Sequence, residues 1–198
     1  LSIFFMPAIL LAQINSANYG DIIINEVMAN PVGLIQLPET EYIEIYNTTN
    51  QTIALKDWLF IYIINTSSST IVTFPDTLLA PYWYAVLYRD GREIHTDNTG
   101  ILLPTANFPA NLANTGKELL IKDAYGVIID SVAYTTAKPA QSWERDSGNG
   151  WYLSTDPRGG TPGAVNSQKN IPEQPTPNPS DNSSPGDVII NEIMANPV

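Results

Sequence analysis

The sequence predicts an all-β domain, a sandwich or a barrel of short strands. Three observations carry that expectation. Apolar residues recur with period two over many short runs, turn residues separate the runs, and no long stretch has helical period. The chain has 198 residues, and four Trp, ten Tyr and five Phe supply the apolar bulk for one ordinary core.

The first strand is expected where Ile22, Ile24 and Glu26 alternate with Ile23, Asn25 and Val27. In the second, at 42–46, Ile43 and Ile45 share one face and Glu44 takes the other, with Tyr42 and Tyr46 flanking. Further β-rich runs stand at 58–64, 70–74, 82–88, 118–122 and 127–134, about seven strands in all. The turns between them are Asn30-Pro31, residues 47–50, Asp90-Gly91, residues 114–116 and residues 123–126. The last of these, between 117–123 and 127–131, reads as a β-hairpin.

Residues 20–32 read GDIIINEVMANPV and residues 186–198 read GDVIINEIMANPV. They differ only where Ile22 meets Val188 and Val27 meets Ile193. Recurrence of one strand at domain-sized spacing signals tandem copies of one module. The expected division is a signal-peptide-like segment at 1–17, a domain at 18–168, a Pro-rich linker at 169–186 and the first strand of a second, truncated copy at 187–198. The apolar run 3–12 has the length of a secretory h-region and is too short to span a bilayer. The sites expected for cleavage follow Ala12 or Ala17, and the frame is read as truncated upstream, lacking an initiating Met and a basic start. The stretch 170–186 carries five prolines and no aromatic residue, the composition of a semi-stiff tether.

Nine basic against twenty acidic residues give a net charge of −11, which repels phosphate backbones and argues against nucleic acid as a partner. With no cysteine, structural disulfides, thiolate nucleophiles and Cys-ligated zinc are excluded.

Six pieces, in order, resemble the lamin tail domain family. IIINEVMANP (22–31) resembles its first strand, EYIEIYN (41–47) its second, and LKDWLFIY (55–62) its third. LLAPYWYAVLY (78–88) resembles the next, with Pro81-Tyr82 where the family usually has Pro-Gly. LANTGKELLIKDAYGVIIDSVAY (112–134) resembles its hairpin, and QSWERDSGNGWYLSTDPRGGTPGAVNS (141–167) its closing segment. The resemblance implies an immunoglobulin-like β-sandwich of Greek-key type, two packed antiparallel sheets, and offers no catalytic residues to carry over. In animals such domains sit at the tail of nuclear intermediate-filament proteins and mediate protein contacts. In bacteria similar domains occur in secreted or surface proteins, repeated or joined to hydrolases, and the signal-like segment fits that setting.

Carboxylates gather at Glu39, Glu41 and Glu44, with Glu26 on the neighbouring strand. A paired acid/base or hard-cation site is one reading; a solvated sheet face plus a loop is the favoured one. Asn25-Glu26 recurs as Asn191-Glu192, which points to a structural use, satisfying backbone groups where the first strand ends. Asp97-Asn98-Thr99-Gly100 and residues 146–150 are candidate calcium loops that turns explain equally well. His95, the only histidine, lacks a nucleophile elbow and reads as a surface residue beside a turn. Trp143, Trp151 and Tyr84 are the candidate ligand-binding aromatics, although a Trp in a sandwich more often plugs an open end of the core. The run Tyr82, Trp83, Tyr84 and Tyr88 must place some rings on the surface. Asn47, Asn50, Asn65 and Asn182 begin Asn-x-Ser/Thr sequons.

The functional expectation is a non-catalytic interaction or scaffolding module of an exported, multi-domain repeat protein, secreted or held at the cell surface. Its expected partners are other proteins or cell-surface glycans, with no transmembrane span and strand exchange through 187–195 as a mode of association. The alternatives are a carbohydrate- or ligand-binding accessory module, an accessory domain of a hydrolase encoded further along, and an enzyme using the acidic cluster with a divalent cation. No cofactor is expected beyond the calcium those loops would take.

Overall fold

Alternation along the second strand does what its pattern requires: Ile43 and Ile45 enter the core, and Glu44 points to the opposite face. The computed structural model describes residues 17–97 and 99–167, and within them it is all β. The strands are β1 (Ile22–Met28), β2 (Tyr42–Asn47), β3 (Ile53–Ala54), β4 (Leu59–Asn65), β5 (Ser68–Thr73) and β6 (Leu78–Leu79). They continue with β7 (Tyr84–Arg89), β8 (Gly100–Thr105), β9 (Lys117–Lys122), β10 (Ile128–Tyr134), β11 (Trp143–Arg145) and β12 (Trp151–Leu153).

Two sheets face each other in the immunoglobulin-like manner. One has the order β12-β11-β1-β2-β7-β8, the other β10-β9-β4-β5, and β3-β6 forms a small ribbon. All pairs are antiparallel except β7–β8, which runs parallel. Pro104 is tolerated in β8 because that strand is an edge and its missing N–H would have met no ladder partner.

The core lies between the sheets. Ile22, Ile24, Ile43, Ile45, Ala85 and Leu87 come from the first sheet, and Phe60, Val72, Leu119, Ile121 and Ile129 from the second. Burial of each large side chain contributes about 1.5–3 kcal/mol relative to exposure. Phe60 and Phe108 stack with ring centroids 6.3 Å apart. Trp58 is fully buried, set by a tight turn in which its N–H reaches the Leu55 carbonyl at 3.1 Å.

Several expectations shift at the margins. The expected alternation in the first strand breaks at a bulge between Ile24 and Glu26, so Asn25 and Glu26 together oppose Glu44 and Val27 enters the core with Ile22 and Ile24. The run 82–88 becomes a strand only at Tyr84, because Pro81-Tyr82 is a turn, with Tyr82 at φ 60 and the Trp83 N–H on the Ala80 carbonyl at 3.2 Å. Strand pairing also takes in β8, β11, β12 and the β3-β6 ribbon, too short or too weakly alternating to be read from pattern. The segment 1–16, the linker 169–186 and the strand-like 187–198, with its expected strand exchange, lie outside the described residues.

Candidate functional site

One row of side chains crosses the outer face of the six-stranded sheet. Pairing sets Glu144 opposite Glu26 and Glu26 opposite Glu44, with Val86 next. Three glutamates thus stand side by side on β11, β1 and β2, and all three are fully buried. The solvated face expected for Glu26 and Glu44 is therefore corrected: residues 159–167 fold back across it and exclude water.

Four of the six carboxylate oxygens in the row have a donor of their own, and the other two share one. Glu26 Oε1 accepts from the Tyr42 hydroxyl at 2.7 Å and the Thr161 N–H at 2.9 Å. Glu44 accepts from Asn25 Nδ2 at 2.7 Å and from the Gly163 N–H at 2.6 Å. Glu144 Oε2 accepts from the Ser167 N–H and hydroxyl, both at 2.7 Å. The Thr161 hydroxyl lies 3.3 Å from Glu26 Oε2 and 3.2 Å from Glu144 Oε1, so its single proton serves one of them at a time. Asn166 completes the seam, donating to the Asn25 and Arg145 carbonyls at 3.1 and 2.8 Å.

The sequence Gly159-Gly160-Thr161-Pro162-Gly163 suits this clasp. A Cβ on Gly160 would fall 2.5 Å from the Tyr42 hydroxyl and 2.7 Å from Glu26 Oε1. Gly163 sits at φ 80, where a side chain would also meet Thr96 and the Asp97 backbone.

Burial dominates the electrostatics. It pushes Glu26 up from 4.5 to about 7, aided by repulsion from Glu144 and offset in part by the Thr161 N–H and the Tyr42 hydroxyl. Glu44 is driven well above the carboxylate range by burial and then by Glu26. Burial, followed by the Glu26 charge, also raises the Tyr42 hydroxyl. The buried guanidinium of Arg145 is committed elsewhere, to Asp130 Oδ2 at 2.7 Å. Asp130 Oδ2 also accepts the Ile24 N–H at 2.7 Å, which ties the bulge in β1 to the opposite sheet.

The other two carboxylates of the expected cluster lie elsewhere. Glu39 and Glu41 line a cleft of about 410 Å³ with Arg89, Arg92 and the Phe108–Leu112 loop. Glu41 is raised by partial burial while accepting the Leu112 N–H at 2.9 Å. Glu39 is exposed and caps the Gly33 N–H at 2.6 Å.

The remaining sequence candidates are dispersed. Trp143 and Trp151 are half-buried against the core, and Tyr84 is buried in β7, its ring 4.7 Å from that of Tyr46. Among the described residues the exposed aromatics are Tyr19, Tyr82, Trp83, Tyr125 and Tyr152. His95 is exposed and lies 3.0 Å from Glu93. Asp97 pairs with Arg158 at 3.2 Å, and Asp146 Oδ1 caps the Gly148 and Gly150 N–H groups of its own turn at 2.9 and 2.6 Å. Asn47 is fully buried and donates to the Gln51, Leu79 and Ala80 carbonyls, whereas Asn50 and Asn65 are exposed.

An immunoglobulin-like β-sandwich whose residues 159–167 are clasped onto an outer sheet face is the class of module that these features define. The family model of the Lamin Tail Domain matches residues 15–136, more than half of the chain, and the chain belongs to that family. No curated protein matches it. The matched region stops short of β11, β12 and the clasp, although β11 hydrogen-bonds directly to β1. What sequence reasoning missed is Glu144 with its partners Thr161 and Ser167, and Gly163, whose N–H holds Glu44; the signal available was the Glu-bearing WER triplet followed by a Gly-rich stretch with no strand pattern of its own.

Proposed function

We propose that this domain is a non-catalytic interaction or scaffolding module of an exported protein built from repeated domains, taking other proteins as partners. One observation carries the reading. The most strongly perturbed carboxylates, Glu26 and Glu44, are sealed from solvent and spent on holding residues 161–163 to the sheet. A carboxylate near 7 is the kind that acid–base catalysis uses, but a catalytic group must reach a substrate, and these are covered by their own chain. The duplicated segment at 20–32 and 186–198 and the Pro-rich tether between supports the repeat arrangement, and the apolar run 3–12 supports export. The half-buried placement of Trp143 and Trp151 leaves neither ring as an open stacking platform, which weighs against the glycan-binding alternative.

The test is a turnover screen of the folded chain against ester, phosphoester, peptide and glycoside substrates, with and without divalent cations. The expected result is no turnover. Turnover that disappears in Glu41→Gln, a change in the accessible cleft that leaves the clasp untouched, would overturn the reading.

A further inference from the structure

The four ends of the two main sheets are not alike. At one end of the six-stranded sheet β12 has three residues, and at the other β8 carries Pro104; both features blunt pairing. The β10 margin is crossed by the chain before and within β1, with the Gly20 N–H on the Ile129 carbonyl at 2.8 Å and the Ile24 N–H on Asp130. The fourth end, β5, reads Ser-Ser-Thr-Ile-Val-Thr over six residues, with neither charge nor proline. It is the terminal strand of its sheet, and the one irregularity in its pairing is a register shift at its first residues, where Ile63 and Asn65 of β4 meet Ser69 and Ser68.

One cross-strand row on the outer face beside this edge is apolar. Register places Ile71 of β5 opposite Ile61 of β4, and Ile61 opposite Leu120 of β9. Ile61 is nearly buried by its neighbours, whereas Ile71, at the rim, is 51% exposed. Along the row Leu120 is partly buried and Ile61 nearly buried, and Ile71, at the open edge, is the most exposed of the three. Cross-strand aliphatic pairs of this kind stabilise a sheet when a further strand continues the row.

We infer that β5 is a self-association edge, pairing antiparallel about a two-fold axis with β5 of a second copy of this module. Ile71 then faces Ile71 of the second copy, and the two rows join across a continuous eight-stranded sheet. An antiparallel pair of identical strands is self-complementary, as a two-fold interface requires. The second copy is the favoured occupant for two reasons on the chain itself. Ser68–Thr73 is uncharged, so two molecules of net charge −11 meet where neither bears local charge. The opening strand of the module recurs at 186–198, so a chain built of such repeats holds a second β5 at high effective concentration. This rests on the interaction-module reading and names its partner.

The experiment is sedimentation equilibrium of the 198-residue chain up to about 1 mM, at low and high salt. Ile71→Lys, Ile71→Glu, and Leu102→Lys on the opposite sheet's edge are compared, with thermal melting to check the fold. The expected result is a wild-type dimer that tightens with salt, as screening reduces the repulsion between acidic copies. Each Ile71 variant alone should be monomeric, their equimolar mixture should recover the dimer, and Leu102→Lys should dimerise as the wild type does. A wild type that stays monomeric at the highest concentration, or charged Ile71 variants that each dimerise unimpaired, overturns the inference. Failure of the mixture to recover overturns it as well, since the two-fold register puts residue 71 opposite itself. None of these outcomes produces turnover, so the interaction-module reading is judged separately by the substrate screen.

Discussion

Glu26→Gln is expected to stabilise this domain above neutral pH and to flatten its dependence on pH. The buried carboxyl binds its proton to about 7 in the folded chain, against 4.5 for the free group. Between those values the folded state holds a proton that the unfolded state has released, so stability falls as pH rises. The contribution is fully present below 4.5 and lost as pH passes through about 7. At about 1.4 kcal/mol per pH unit, that displacement corresponds to about 3 kcal/mol. Glu44 is shifted in the same direction, so it adds to the slope rather than opposing it. For a domain of this size the thermal midpoint should drop by about 6–12 °C between about pH 5 and pH 8. The introduced amide keeps an oxygen for the Tyr42 hydroxyl and the Thr161 N–H, and it turns an N–H toward Glu144, where the wild type has two repelling carboxylates. Melting curves followed by tryptophan fluorescence, to which buried Trp58 contributes, provide the assay when taken at intervals across this range. A wild-type midpoint that climbs from pH 5 to pH 8, or a variant with the wild-type slope, would refute the buried-proton argument.

Three further outcomes follow from the geometry. Tyr82 occupies a left-handed turn position, 54% exposed, so Tyr82→Gly should gain about 0.5–1 kcal/mol by relieving the Cβ clash, net of added chain entropy; a loss in urea denaturation would contradict this. Asp130→Ala strands the Arg145 guanidinium and the Ile24 N–H in the interior and should cost about 3–5 kcal/mol, with a loss under 1 kcal/mol by the same measurement counting against the strut. A chain ending at Leu153 lacks the Thr161, Gly163 and Ser167 amides that cover three glutamates, so its near-ultraviolet circular dichroism should collapse; a native spectrum would show that the clasp is dispensable.

Strand identity was legible because burial on one face imposes period two on residues close in sequence. Ile43 and Ile45 inside, Glu44 outside and the 117–134 hairpin all follow from local pattern and turn chemistry. The adjacency of Glu26 and Glu44 was legible too, as neighbouring strands in a family resemblance. Their burial was not. It depends on residues 159–167, which carry no strand period and reach the sheet only after the chain has crossed the whole sandwich. A bulge moves Val27 inward and Glu26 outward, and no propensity at Asn25 announces it.

By itself the sequence determined the class of fold, the family, the strands with clear alternation, and the absence of any thiol chemistry, since each depends on residue type and short-range spacing. Only the tertiary structure decided that an acidic face is an interior, because burial belongs to whichever distant segment lies on top. It also decided that Glu39 and Glu41 part company with Glu26 and Glu44. A carboxylate that looks solvent-facing along its own strand takes its raised proton affinity, and hence its role, from burial beneath a segment more than a hundred residues away, whose amides offset part of that rise.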